Sequence, residues 1–126
     1  MPSNELQAAI KLIFSKGNST ARTSPLLEAL RYFDVTGETA ISGRMSVGTS
    51  AETIPKGDIG TLGLVALWNH DTTNYIEAGD DADAPSIKLY PDGSGVNFCL
   101  VPWGATDVSV KAGTAACEMD YILVEL

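Results

Sequence analysis

At 126 residues, with 44% hydrophobic and 19% charged side chains, the chain has the length and composition of one globular domain that can bury its own core. Its formal net charge of −8 argues against a nucleic-acid backbone as the partner. The N-terminus has no basic patch before an apolar run, and no apolar run approaches the ~20 residues that cross a bilayer. We therefore expect a protein made in the cytoplasm, with no membrane partner.

The charge is divided unevenly along the chain. Residues 1–61 hold six basic and six acidic side chains, for a net charge of zero. Residues 62–126 hold two basic side chains, Lys88 and Lys111, against ten acidic ones, for a net charge of −8. One interpretation is that the acidic half, residues 62–126, only supplies solubility. The other is that it faces solvent or other like-charged copies of the chain while the neutral half, residues 1–61, docks onto a partner.

The first two apolar segments fit both a helix and a strand. In residues 5–16 (ELQAAIKLIFSK) the apolar positions form a helical stripe and also alternate as one face of a strand, with a slight preference for the helix. Residues 26–35 follow Ser24-Pro25 and show the same ambiguity, since their leucines would line a short helix whereas Val35 favours a strand.

From Glu38 onward the pattern is that of short strands separated by turns. Candidate strands recur about every ten residues, with glycine, proline and aspartate between them, which is typical of an antiparallel sandwich or barrel. Beyond residue 79, the candidate strands cover residues 86–90, 96–101, 106–111 and 117–126.

The central stretch, residues 61–79, predicts one β-hairpin. Residues 62–68 are almost continuously apolar, which indicates a strand covered on both faces, with Trp68 in the core. Residues 69–73 are turn formers, and residues 74–77 resume the strand pattern before Gly79 ends it.

No group of residues in the sequence matches a catalytic motif. His70 is the single histidine and lies in the predicted turn, where we expect it to be solvated. Cys99 and Cys117 lie in strand patterns without the spacing of metal ligands. Buried free thiols are the favoured interpretation, and pairing of the two cysteines is the open alternative. We predict no catalytic residue, no cofactor and no enzymatic activity.

Two further features of the sequence are candidate binding sites. Asp80, Asp81 and Asp83 could offer oxygens to Ca²⁺, but their order lacks the glycine and the glutamate of an EF-hand loop, so we predict a solvated acidic loop and no metal site. Trp103 follows Pro102 in a turn-prone stretch and is a weak candidate for stacking on a glycan. Packing in the core or at an edge is the favoured interpretation for this indole.

Several segments, taken in order, match a recurring pattern. They are residues 15–18 (SKGN), 34–37 (DVTG), 46–52 (SVGTSAE), 57–61 (GDIGT) running into 62–79, and 112–117 (AGTAAC) leading to Leu126. This succession resembles small structural proteins of tailed bacteriophages, similar to capsid decoration (cement) or minor virion proteins. The match covers most of the chain, with departures at residues 26–33 (LLEALRYF) and at the acidic insert of residues 80–83.

The resemblance sets the remaining expectations. It implies a strand in residues 5–16, and the whole chain, residues 1–126, is expected to be a single all-β domain, an antiparallel sandwich of jelly-roll character with about eight strands and little helix. The implied function is a non-enzymatic capsid decoration protein in the virion. It would bind the major capsid protein or other virion proteins and bridge shell subunits, as a homo-oligomer for which we expect a trimer. The alternatives are a tail or fibre component and a carbohydrate-binding module for a host surface.

Overall fold

The computed structural model describes residues 6–13, 26–33, 40–81 and 85–125. These residues form ten strands and no helix, so none of them belongs to a helix that could cross a membrane. The strands are β1 (Leu6–Ile13), β2 (Leu26–Phe33), β3 (Ala40–Val47), β4 (Glu52–Thr53), β5 (Leu64–Asn69), β6 (Ile76–Gly79), β7 (Ile87–Leu89), β8 (Phe98–Pro102), β9 (Ser109–Ala112) and β10 (Cys117–Val124).

The chain divides into two compact units, Met1–Val35 and Thr36–Leu126. In the first unit, β1 and β2 pair antiparallel from Leu6 opposite Phe33 to Ile13 opposite Leu26. The strand implied for residues 5–16 is therefore confirmed over 6–13, and the helical interpretation preferred by the periodicity is wrong there. Residues 26–33 are also a strand, while residues 5, 14–16, 34 and 35 lie outside the described residues. The expectation of one domain over residues 1–126 stays a prediction.

The second unit is a sandwich of two four-stranded antiparallel sheets. One sheet has the order β3-β10-β5-β8, and the other has the order β4-β9-β6-β7. Alternate residues of the strands point inward, and side chains of both sheets form one core that excludes water. The largest buried side chains are Ile54, Leu62, Leu67, Ile76, Leu89, Met119 and Leu123. The predicted all-β antiparallel sandwich is confirmed.

The predicted hairpin over residues 61–79 is wrong. β5 lies between β10 and β8, whereas β6 lies between β9 and β7, so the two strands belong to different sheets. Residues 70–75 carry the chain from one sheet to the other. A loop of this length suits a hairpin and a crossover equally, and only partners distant in sequence decide between them.

A buried asparagine organises this crossover. Asn69 has no exposed surface, and its side-chain amide nitrogen donates to the carbonyl oxygens of Asn74 at 3.0 Å, Leu89 at 3.3 Å and Tyr90 at 3.2 Å. Its side-chain oxygen accepts a hydrogen bond from the backbone N–H of Asp71 at 2.9 Å. The asparagine thus joins the end of β5 to the loops on either side of β6 and β7, and satisfies backbone groups that would otherwise be buried without a partner.

β5 is covered on one face only. Val65 and Leu67 are buried on the inner side, but Leu64 and Ala66 are half-buried and Trp68 is 48% exposed on the outer side. The prediction of a strand covered on both faces is therefore wrong, and so is the placement of Trp68 in the core. Residues 64–68 are continuously apolar because the outward-facing side chains of β5 are apolar as well as the inward-facing ones.

Candidate functional site

Large apolar side chains gather on the outer face of the β3-β10-β5-β8 sheet. The register places Trp68 directly between Phe98 of β8 and Asp120 of β10. In the next row of the same face, Ala66 lies between Leu100 and Ile122. We call the surface formed by Ala66, Trp68, Phe98, Leu100 and Ile122 the apolar face.

Four large side chains of the apolar face are substantially exposed. Trp68, Phe98, Leu100 and Ile122 are 48%, 54%, 39% and 46% exposed. Since a whole aromatic side chain presents ~150–250 Å², the exposed apolar area is roughly 400 Å². The largest patch on an ordinary monomer covers ~300–600 Å² and often marks an interaction site. This area is about half of the ~800 Å² that each partner contributes to a standard interface.

Aromatic rings stack at one end of the apolar face. The Trp68 and Phe98 ring centroids lie 5.7 Å apart with an interplanar angle of 30°. The Trp68 and His70 rings also have centroids 5.7 Å apart, at 17°. Neighbouring rings restrict the rotamers of Trp68, so the indole is held in place before any partner arrives, which lowers the entropic cost of binding.

Polar contacts join three strands beside these rings. Arg44 Nε donates to Asp120 Oδ1 at 2.7 Å, and His70 Nε2 lies 2.7 Å from Asp120 Oδ2. The hydrogen bond from Arg44 is the larger cause, and that of His70 the next, of a shift that lowers the pKa of Asp120 to about 2. His70 was expected to be a solvated turn residue; instead it is stacked on Trp68 and bonded to a carboxylate, which fixes the end of β5 against β10.

Neither cysteine is a reactive thiolate, and no metal-ligand cluster is found among the described residues. Both cysteines are free, as the favoured interpretation held. Burial raises the pKa of Cys117 to about 11 and raises that of Cys99 as well, so both are thiols at neutral pH rather than nucleophilic thiolates. In the part of the chain that the structure describes, no three histidine, cysteine or acidic side chains are grouped as metal ligands. Asp83 lies outside that part, and the loop at residues 80–83 stays a prediction.

Trp103 lies in a shallow cleft at the edge of the sandwich. The cleft has a volume of about 430 Å³ and is lined by Asp80, Ser86, Ile87 and Pro102 as well as by Trp103 itself. The indole is half-buried and packs against the core, and its Nε1–H donates to the carbonyl oxygen of Asp107 at 3.1 Å. Trp103 is therefore no exposed platform.

The sequence prediction is therefore wrong for Trp68, which was placed in the core and is the centre of an exposed surface. For Trp103 the favoured interpretation, packing in the core or at an edge, agrees with the half-buried indole that packs against the core. The signal that could have found the apolar face was the alternation within β5, with Leu64, Ala66 and Trp68 on one side. It was hidden because both sides of the strand are apolar.

No protein-family model, curated protein or solved structure matches the chain. The described residues of the second unit thus form an antiparallel β-sandwich with exposed apolar side chains on the outer side of one sheet.

Proposed function

We propose that this protein is a non-enzymatic structural component of a tailed-bacteriophage virion, and specifically a decoration protein that binds the outer shell and bridges capsid subunits. The observation that carries the attachment role is the apolar face, centred on Trp68 and Phe98, on a sandwich whose core is already complete. The sequence resemblance supplies the setting, since the segments from residue 46 to residue 79 follow the pattern of such proteins.

Burial of apolar area is a sufficient physical mechanism for this role. At ~25 cal/mol per Å², covering roughly 400 Å² of apolar surface gains ~10 kcal/mol before the costs of association. Those costs consume ~4–15 kcal/mol, so one contact of this size gives modest affinity. Attachment at several equivalent places on a shell would make modest contacts durable. No catalytic group is needed.

Three finer features belong to this proposal. We interpret the two-sheet strand order β3-β10-β5-β8 and β4-β9-β6-β7 as a jelly roll, an architecture of eight strands in two sheets that virion proteins use widely. We further propose a homo-oligomer, a trimer, as the form that attaches to shells. The location would be the mature virion, after assembly in the host cytoplasm.

One observation favours a second function. The cleft beside Trp103 has a volume of about 430 Å³ and is lined by Trp103, Asp80 and Ser86 among others, residue types that suit a small sugar. A carbohydrate-binding module, on a tail or fibre, would use this cleft. Loss of glycan-array binding in Trp103→Ala, with unchanged binding in Trp68→Ala, would favour that function over shell decoration.

The test of shell decoration compares phage particles made with and without this gene. We expect hundreds of copies of the protein in purified wild-type particles by quantitative mass spectrometry. We also expect particles without it to release DNA at a lower temperature, and added purified protein to restore the wild-type release temperature. A few copies in each particle, located at the tail, would contradict the proposal.

A further inference from the structure

We infer that the apolar face docks onto a protein surface in which arginine or lysine side chains lie among apolar residues. The inference rests on the proposed function, because it names the chemistry of the shell surface that the protein would bind. It follows from the charges that border the face, which are predominantly negative.

Carboxylates lie at the end of the apolar face where the rings stack. Glu118 is exposed on β10, two residues before Asp120, and therefore points to the same outer side of the sheet. The backbone N–H of His70 donates to the carbonyl oxygen of Glu118 at 2.9 Å, which places this residue beside the ring stack. The loop between β7 and β8 adds Asp92, whose backbone N–H donates to the carbonyl oxygen of Asp71 at 2.8 Å. The Asp71 carboxylate itself accepts hydrogen bonds from the backbone N–H groups of Thr73 and Asn74 within its own turn.

Positive charge is scarce on the same surface. Of the described lysines and arginines, Arg44 alone lies on the outer face of this sheet, and it is bound to Asp120. Lys88 and Lys111 lie on strands of the other sheet, where the ammonium group of Lys88 is 4.1 Å from the centre of the Tyr75 ring. The charge of Arg44 also acts on Glu118, so on the described part of this face one guanidinium faces two carboxylates. A cation of the partner would balance the excess negative charge.

A second copy of the chain fits this face less well. Two copies brought together through it would each carry a net charge of −8, and Glu118 would approach carboxylates of the other copy. Like charges brought together at an interface oppose association, whereas a cationic partner speeds it. The proposed trimer would thus use other surfaces, and the apolar face would remain open for the shell.

The probe for this inference is the shell of the phage that encodes the protein, purified from particles that lack it and immobilised for surface plasmon resonance. The double variant Trp68→Ala/Phe98→Ala should weaken binding about tenfold or more, mainly through faster dissociation. Glu118→Lys should slow association and reduce its dependence on NaCl, because it reverses the charge that steers the encounter. Glu118→Gln should have a smaller effect in the same direction.

Matched controls separate these effects from general ones. Tyr90→Ala removes an aromatic side chain that is 43% exposed but lies outside the apolar face. Asp58→Lys makes the same charge change in an exposed turn between β4 and β5. Both should bind within about twofold of wild type, as surface changes outside an interface do. If the double variant loses its circular dichroism spectrum, Ile122→Asp, at a position 46% exposed on the apolar face, replaces it.

Each outcome bears on a different claim. Binding of wild-type protein that weakens with salt, with losses in the apolar and Glu118 variants only, supports the inference. Wild-type binding with all variants alike overturns it and leaves the decoration function standing. A wild-type oligomer that Trp68→Ala converts to a monomer in sedimentation assigns the face to a second copy and also overturns the inference. Failure of the wild type to bind shells at any salt concentration overturns both proposals.

Discussion

Replacing Asn69 by alanine should destabilise the sandwich far more than an ordinary asparagine substitution. The two N–H groups of the Asn69 amide donate to three backbone carbonyl oxygens, so one N–H is shared, its oxygen accepts one hydrogen bond, and the side chain has no exposed surface. Three full bonds at ~0.5–1.5 kcal/mol each give a loss of roughly 1.5–4.5 kcal/mol, because alanine leaves the carbonyl oxygens buried without a donor. That loss lowers the melting temperature of a domain this size by roughly 10 °C.

Urea unfolding followed by circular dichroism measures this loss, and Asn97→Ala is the matched control. The Asn97 side chain is half-buried and donates one hydrogen bond, to the carbonyl oxygen of Asn69 at 3.0 Å. Its removal should cost about 1 kcal/mol. If Asn69→Ala and Asn97→Ala unfold at the same urea concentration, Asn69 does not organise the crossover between the sheets, and the reasoning is refuted.

Three further predictions follow from local contacts. A Cβ atom at Gly113 would overlap the Tyr75 ring, whereas one at Gly104 would meet nothing within 4 Å. Gly113→Ala should therefore cost ~1–3 kcal/mol in thermal unfolding and Gly104→Ala much less, and equal melting temperatures would contradict this. The pKa of Asp120 is lowered to about 2, below its unfolded value of ~3.9, so the stabilising effect of this carboxylate is present above pH ~4 and is lost as the pH falls toward 2. Asp120→Asn should therefore make the free energy of unfolding depend less on pH in that range. An unchanged pH dependence would count against the ion pair. Burial raises the pKa of Cys117 to about 11. Iodoacetamide at pH 8 should therefore modify the Cys117 thiol in the urea-unfolded protein and spare it in the folded protein. Equally fast labelling of the folded and unfolded protein would show that this thiol is accessible.

The sandwich could be predicted from sequence because its evidence is local. Turn-forming residues recur about every ten positions, and each short segment between them carries its own strand pattern. The pairing of those strands could not be predicted in the same way. β5 pairs with β10, whose residues lie about fifty positions further along the chain, and no local signal distinguishes this partner from β6.

The candidate site was missed for a related reason. A run such as residues 64–68 is consistent with a strand buried on both faces and with one whose outer face awaits a partner. Only the register, which sets Trp68 beside Phe98 and Ala66 beside Leu100, shows that the apolar residues of different strands form one surface. Hydrophobicity in the sequence therefore predicted burial on both faces of β5, whereas the structure buries only the inner face and leaves Trp68 exposed.

We have proposed that the apolar face attaches this protein to a phage shell. The most direct test is a cryo-electron microscopy reconstruction of the particle that contains the protein, at a resolution that shows side chains. We predict density for the sandwich on the outer shell, with Trp68 and Phe98 buried against capsid subunits. Density in which these side chains face solvent, or density for the sandwich only at the tail, would contradict the account.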